Sequence, residues 1–309
     1  MPVVLLCGAQ RAAAVPDVPP ADFRLAAGMA AMAASPRGDA PPPGANDWSC
    51  RPSAEHPNPV VLLHGQFENQ TIAWQAMAPM LHHAGYCVFS MNWGERSSDT
   101  WPAVAVKGRL PIEHGAAEVA DFVERVRAAT GADRVDFLTH SMGGLVGGYY
   151  VKFLGGADRV ARFVAIAAPW NGSDHFAMSS GMQLLGAPGT SLRTAAEAAL
   201  GDMSGPLPQV LTSSAFMSRM RSDGGPTVPG VAYTNLISRY DEVVVPFTSS
   251  IVDAPNVRNI VVQDGCEQDL ADHLALVVDP VTAGHALAAL DPDRAPAVPC
   301  VPVLPLIGN

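Results

Sequence analysis

What most limits the folds open to this chain is a repeated alternation: short continuous apolar runs bounded by turn residues, each followed by a stretch with apolar residues at helical spacing. Val60-Val61-Leu62-Leu63 is apolar at successive positions, as a strand buried on both faces requires. Met77, Met80, Leu81 and Ala84 then fall at i, i+3, i+4 and i+7, one face of a helix, with Gly85 placed to end it. Cys87 to Met91 predicts a second strand, and Ala116, Val119, Ala120, Val123 and Val126 a second helix stopped near Gly131. Val135 to Thr139 predicts a third strand, Leu145 to Phe153 a third helix entered through glycines, and Phe163 to Ala167 a fourth strand. Parallel strands need crossovers, and crossovers are right-handed, so this beat specifies a doubly wound α/β architecture with a mainly parallel sheet covered on both faces. The beat stops at Pro169 and resumes at Val231 to Ile237, a gap far beyond the usual connection length, so 170–230 is expected to be a functional insertion of cap or lid type. Val257 to Val262 adds a strand, and Pro280 to Leu290 a closing helix with proline in its first turn. Residues 15–58, rich in Pro, Ala and Gly, read as an extended lead-in to a single catalytic domain at 59–309.

A formal charge of -10 and a pI near 5.3 repel a polyanion, which sets nucleic-acid binding aside. No stretch approaches the roughly 20 apolar residues of a bilayer span, so no integral membrane segment is expected. Residues 1–14 read as the tail of a secretory signal lacking its basic n-region, with Ala12-Ala13-Ala14 as the cleavage site; Leu6 before Cys7 argues against lipidation. Cleavage after Ala14 leaves Cys50, Cys87, Cys266 and Cys300, an even number that fits secretion into an oxidising compartment. Four cysteines allow three pairings and spacing alone does not choose; Cys50 with Cys87 and Cys266 with Cys300, each closing a moderate loop, is the expectation taken.

Thr139-His140-Ser141-Met142-Gly143-Gly144 lies between a predicted strand and a predicted helix, the setting of a nucleophile elbow. A serine thrust out on a sharp turn tolerates only small neighbours, and Gly143 lets helix approach strand. Thr139 replaces the first glycine of G-x-S-x-G at a position on the strand, where a modest side chain suffices. His64-Gly65-Gln66 follows the first strand and converges on the same sheet edge, so the backbone N–H groups of Gln66 and Met142 could receive an oxyanion; His64 is given a structural role. A serine hydroxyl needs a histidine base oriented by a carboxylate, in the chain order Ser, acid, His. Asp241 in Ser238-Arg239-Tyr240-Asp241-Glu242 is the expected acid, with Glu242 and Asp223 as runners-up. His273 is the expected base, and His285, inside an apolar helix, its competitor. Asp264, Asp269, Asp272 and Asp279 lack the spacing of a calcium loop, so no metal is assigned.

With these residues placed, the chain resembles bacterial secreted triacylglycerol lipases and esterases of the α/β-hydrolase superfamily, those grouped as class 2 lipases. NDWSCRPSAEHPNPVVLLHGQFENQ, GYCVFSMNWG, LTHSMGG, SRYDEVVVP and ADH are similar to that family's landmarks in its order, over residues 47 to 273. The resemblance implies an α/β-hydrolase fold, a Ser141–Asp241–His273 triad, an oxyanion hole at Gln66 and Met142, and extracellular action on lipid esters without an organic cofactor; a monomer is the expectation taken. It also supports the Cys50–Cys87 bridge. Thr139, and Gln66-Phe67 after His-Gly, depart from its pattern and leave chain length open. On this reading Trp170, Phe176, Met178, Met182, Leu184, Leu185, Phe216, Met217 and Met220 form an acyl-binding wall or lid. A polyester depolymerase or short-chain esterase with the same triad is the alternative within enzymes; a non-catalytic cell-surface binding protein is the alternative outside them.

Overall fold

Six apolar runs become six strands: β1 (Val60–Leu63), β2 (Val88–Met91), β3 (Val135–His140), β4 (Val160–Ile166), β5 (Ala232–Ile237) and β6 (Val257–Val261). In this computed structural model, which describes residues 18–309 apart from the side chain of Phe176, they form one sheet in the order β2-β1-β3-β4-β5-β6. Every neighbouring pair is parallel. The signal-tail reading of residues 1–14, Cys7 included, lies outside the described residues.

The apolar runs are continuous because both faces of the sheet are covered. Val61, Leu63, Phe89, Phe137 and Phe163 point into one core with the helices Ile112–Thr130 and Met142–Phe153. Val60, Leu62, Val88, Leu138 and Val164 point into the other, against Met77–His83 and Pro280–Leu290. The stop and start signals act as expected. Gly131 ends its helix at φ 76°, and the Asp279 carboxylate caps the last helix by accepting from the N–H groups of Val281 and Thr282. The chain leaves β1 toward β2 on one side and returns to β3 on the other, so the loops after β1 and β3 part and leave a crevice at the sheet's carboxyl edge.

Two expectations change. Residues Leu25–Ala34 form a helix inside the segment read as extended, because LAAGMAAMAA is dominated by good helix formers and docks closely. A Cβ on Gly28 would stand 2.8 Å from the Ile72 carbonyl oxygen. The helix placed at 145–153 begins at Met142 and takes in the glycines, since an elbow helix starts directly after its serine. Across the insertion run the helices Met178–Leu184, Ser191–Met203, Pro206–Gln209 and Ala215–Met220. Both expected disulfides are formed, Cys50–Cys87 with Cα atoms 5.8 Å apart and Cys266–Cys300 at 5.2 Å.

Candidate active site

Ser141 is the residue between β3 and the helix Met142–Phe153, and it holds φ 51° and ψ −125°. A non-glycine residue there stores strain of order 1–3 kcal/mol, which surrounding contacts must fix. They do so through backbone: the Ser141 N–H donates to the Ile166 carbonyl at 2.8 Å and its carbonyl accepts from the Gly144 N–H at 2.9 Å. Gly143 has no room for a side chain, since a Cβ would meet the Leu63 and His64 carbonyl oxygens at 2.4 and 2.6 Å. That contact sets the elbow beside the end of β1. Thr139 is fully buried on β3, where its hydroxyl reaches the Val164 carbonyl at 3.4 Å.

Asp241 follows β5, and its Oδ1 accepts from the N–H groups of Val243 at 2.9 Å and Val244 at 2.7 Å. This locked carboxylate lies 3.0 and 2.9 Å from His273 Nδ1. The two side chains are almost wholly enclosed. Burial by itself would depress the His273 pKa, but the charge and hydrogen bond of Asp241, with the charges of Glu68 and Glu242 beyond, outweigh it and hold the imidazole above its usual 6.5. The Asp241 carboxylate holds Nδ1 and so fixes the orientation of the ring. The loop bearing His273 is tied down on all sides. Ser238 donates to the Ala271 carbonyl, Glu242 accepts from the His273 N–H at 3.2 Å, and Asp272 accepts from the N–H groups of Ala275 and Leu306.

Ser141 and His273 both face one cavity of about 480 Å³, along with Gln66 and Met142. Its wall is mostly apolar, and the insertion contributes Met178, Leu200, Met203, Leu207 and Val210 to it, beside Phe67, Met142, Val243, Val244 and Leu274 from the loops at the sheet edge. Of the residues expected to line an acyl wall, Met178 does so. Trp170, Phe216, Met217 and Met220 instead join the core above β3 to β5, where bulky side chains fill space under the insertion. Leu184 stands 89% exposed. The Gln66 side chain donates to Ser204 at 2.7 Å and so ties the loop after β1 to the insertion.

The runners-up lie elsewhere or do other work. Asp223 is an exposed turn residue bonded to the Ser222 hydroxyl, and His285 sits half-buried in its helix. Glu242 lines the cavity but supports the His273 backbone. His64 is fully buried beneath Trp93, and burial pulls its pKa down to about 4. Of the aspartates near His273, Asp269, Asp272 and Asp279 serve the local backbone and Asp264 pairs with Arg239, and the described residues hold no group of three or more His, Cys, Asp or Glu that could bind a metal. Sequence reasoning passed over Glu68 and His140, which meet next to Ser141 with Oε1 and Nδ1 2.9 Å apart. The signal was present in both flanks: an acid three residues beyond Gly65 and a histidine just before the serine.

A serine at a strand-to-helix turn, with an acid and an imidazole brought later in the chain to the same edge of a parallel sheet, is the arrangement of the α/β-hydrolase class. Within that class the chain belongs to the class 2 lipases, whose family model, Lipase (class 2), matches residues 57–283. A triacylglycerol lipase of Pseudarthrobacter phenanthrenivorans is 31% identical over 121 residues, 38% of this chain and 34% of that protein. One of Burkholderia plantarii is 31% identical over 121 residues, 38% of this chain and 30% of that protein. The match spans about a third of the length of these curated relatives. Lipase B of Aspergillus fumigatus shares the fold, with a TM-score of 0.61 at 19% identity over 84% of this chain and 60% of that one.

Proposed function

We propose that this protein is an extracellular serine carboxylic-ester hydrolase that cleaves lipid esters through an acyl-enzyme on Ser141. The observation that carries this reading is the shared cavity: a strained serine and a carboxylate-bound imidazole face one apolar space of about 480 Å³. His273 Nε2 takes the Ser141 proton as Oγ attacks the ester carbonyl. The Gln66 and Met142 N–H groups receive the oxyanion, each such donor being worth roughly 3 to 4 kcal/mol. The imidazolium then protonates the leaving alcohol, and water deprotonated by His273 releases the acid and frees Ser141. Asp241 orients the ring and stabilises its charge. Catalysis on this route uses side chains and backbone of one chain and needs no cofactor.

A lipid substrate is favoured by the apolar cavity wall and by apolar side chains left in solvent on the insertion and the loop after β1, Leu184, Leu192, Met203 and Phe67 among them. Two disulfides and the family support action outside the cell. Initial rates on short soluble esters, emulsified triglyceride and polyester film test the substrate class. Hydrolysis of triglyceride is expected, with Ser141→Ala lowering kcat by several orders of magnitude while the fold persists. A preference for polyester film would move the reading to a depolymerase, and near wild-type turnover by Ser141→Ala would remove the serine mechanism.

A further inference from the structure

The triad leaves two polar side chains beside the nucleophile without a role, Glu68 and His140. The Glu68 carboxylate accepts the Gly65 N–H at 2.7 Å and lies 2.9 Å (Oε1) and 3.0 Å (Oε2) from His140 Nδ1. The His140 ring is fully buried, and its Nε2 lies 3.1 Å from the carbonyl oxygen of His273. A carbonyl oxygen can only accept. The Glu68 carboxylate is likewise on the accepting side, since its Oε2 takes the Gly65 N–H. Both ring nitrogens of His140 therefore face acceptors, and both bonds form only if each nitrogen carries a hydrogen.

We propose that Glu68 and His140 form a positioning ion pair, with His140 an imidazolium, that fastens the oxyanion loop, the nucleophile elbow and the His273 loop to one another. This rests on the serine-hydrolase reading above. The pair touches all three segments: Gly65 through its N–H, Ser141 as the next residue of the chain, and His273 through its carbonyl. The approach is close, since a Cβ on Gly65 would stand 3.1 Å from the Ser141 Cβ and 3.2 Å from His140 Nδ1. Neutral His140 would have one hydrogen for two acceptors and would release either the carboxylate or the His273 loop. The charged and titratable groups around the pair are His64 at the end of β1, Lys107 beyond it, and His273 with Asp241 and Glu242. Glu68 balances the His140 charge, so the cation does not oppose the imidazolium that His273 becomes in the reaction. No proton leaves the pair during turnover.

The test uses the whole protein and has two arms. In the first, ring ¹H–¹⁵N correlations at pH 7 are expected to show both nitrogens of His140 protonated in wild type and one in Glu68→Gln; a neutral His140 in wild type overturns the proposal even if the variant fails to fold. In the second, kinetics on p-nitrophenyl butyrate well below the unfolding temperature are expected to show kcat lowered about 10-fold to 100-fold in Glu68→Gln with KM within about twofold, since small displacements of catalytic groups act on kcat. Glu68→Asp, which keeps the charge, is expected to recover part of the loss. A Glu68→Gln kcat within twofold of wild type overturns the proposal. Wild type and Ser141→Ala assayed on the same ester serve as controls for the serine-hydrolase reading, so a failure there is separate from a failure of the ion pair.

Discussion

The sharpest chemical statement at the scale of single residues concerns His273, whose pKa stands above 6.5 because the attraction of Asp241 exceeds the cost of burial. A general base works in its neutral form, so kcat/KM should rise with pH through a limb placed above 6.5. In Asp241→Asn that limb is expected to move to lower pH, while kcat falls about 10³-fold to 10⁴-fold. A pH–rate series reads both effects, and an unmoved limb would separate Asp241 from the base. The linkage to stability has a definite sign. A raised folded pKa makes the charged His273–Asp241 contact fully stabilising below about pH 6.5, and that contribution is lost as pH rises through the folded value. Residue types and their chain order sufficed to nominate Ser141, Asp241 and His273, because the chemistry demands those types in that sequence. They did not yield Glu68 and His140. A histidine that precedes the serine is in the wrong order for a base, and its partnership with a distant carboxylate exists only once β1 and β3 lie side by side.

Among elements, the elbow is the one whose packing admits least change. Gly143→Ala would press a Cβ against two backbone carbonyls that cannot rotate away, so a loss of about 3 kcal/mol or more is expected. Gly181→Ala, in the helix Met178–Leu184 with open space around it, is expected to gain about 0.5–1 kcal/mol. Urea midpoints followed by circular dichroism compare the two, and a Gly143→Ala midpoint equal to wild type would contradict the packing described. All six strands were legible, because a strand buried on both faces leaves an unbroken apolar run. The helix Leu25–Ala34 was not legible. It is apolar nearly all round, so it shows no helical stripe, and its neighbouring prolines and glycines give the segment a loop-like composition.

Across the whole molecule, the crevice at the switch between β1 and β3 gathers segments from residues 64–68, 140–142 and 241–274 beneath an insertion that shares the apolar wall with them. The position of that insertion could be read from the break in the α/β beat. Its interior could not, because large apolar side chains look alike in sequence whether they face a cavity or a core. Trp170, Met217 and Met220 went to the core, while Leu200, Met203 and Leu207 took the wall. The central claim is that residues far apart in the chain meet there to activate Ser141. Incubation with an alkyl p-nitrophenyl phosphonate, followed by mass spectrometry of the digested protein, tests it most directly. The account predicts one phosphonyl group on the peptide containing Ser141, formed rapidly in wild type and at least about 10³-fold more slowly in His273→Ala. Labelling at another residue, or equal rates in the two proteins, would contradict it.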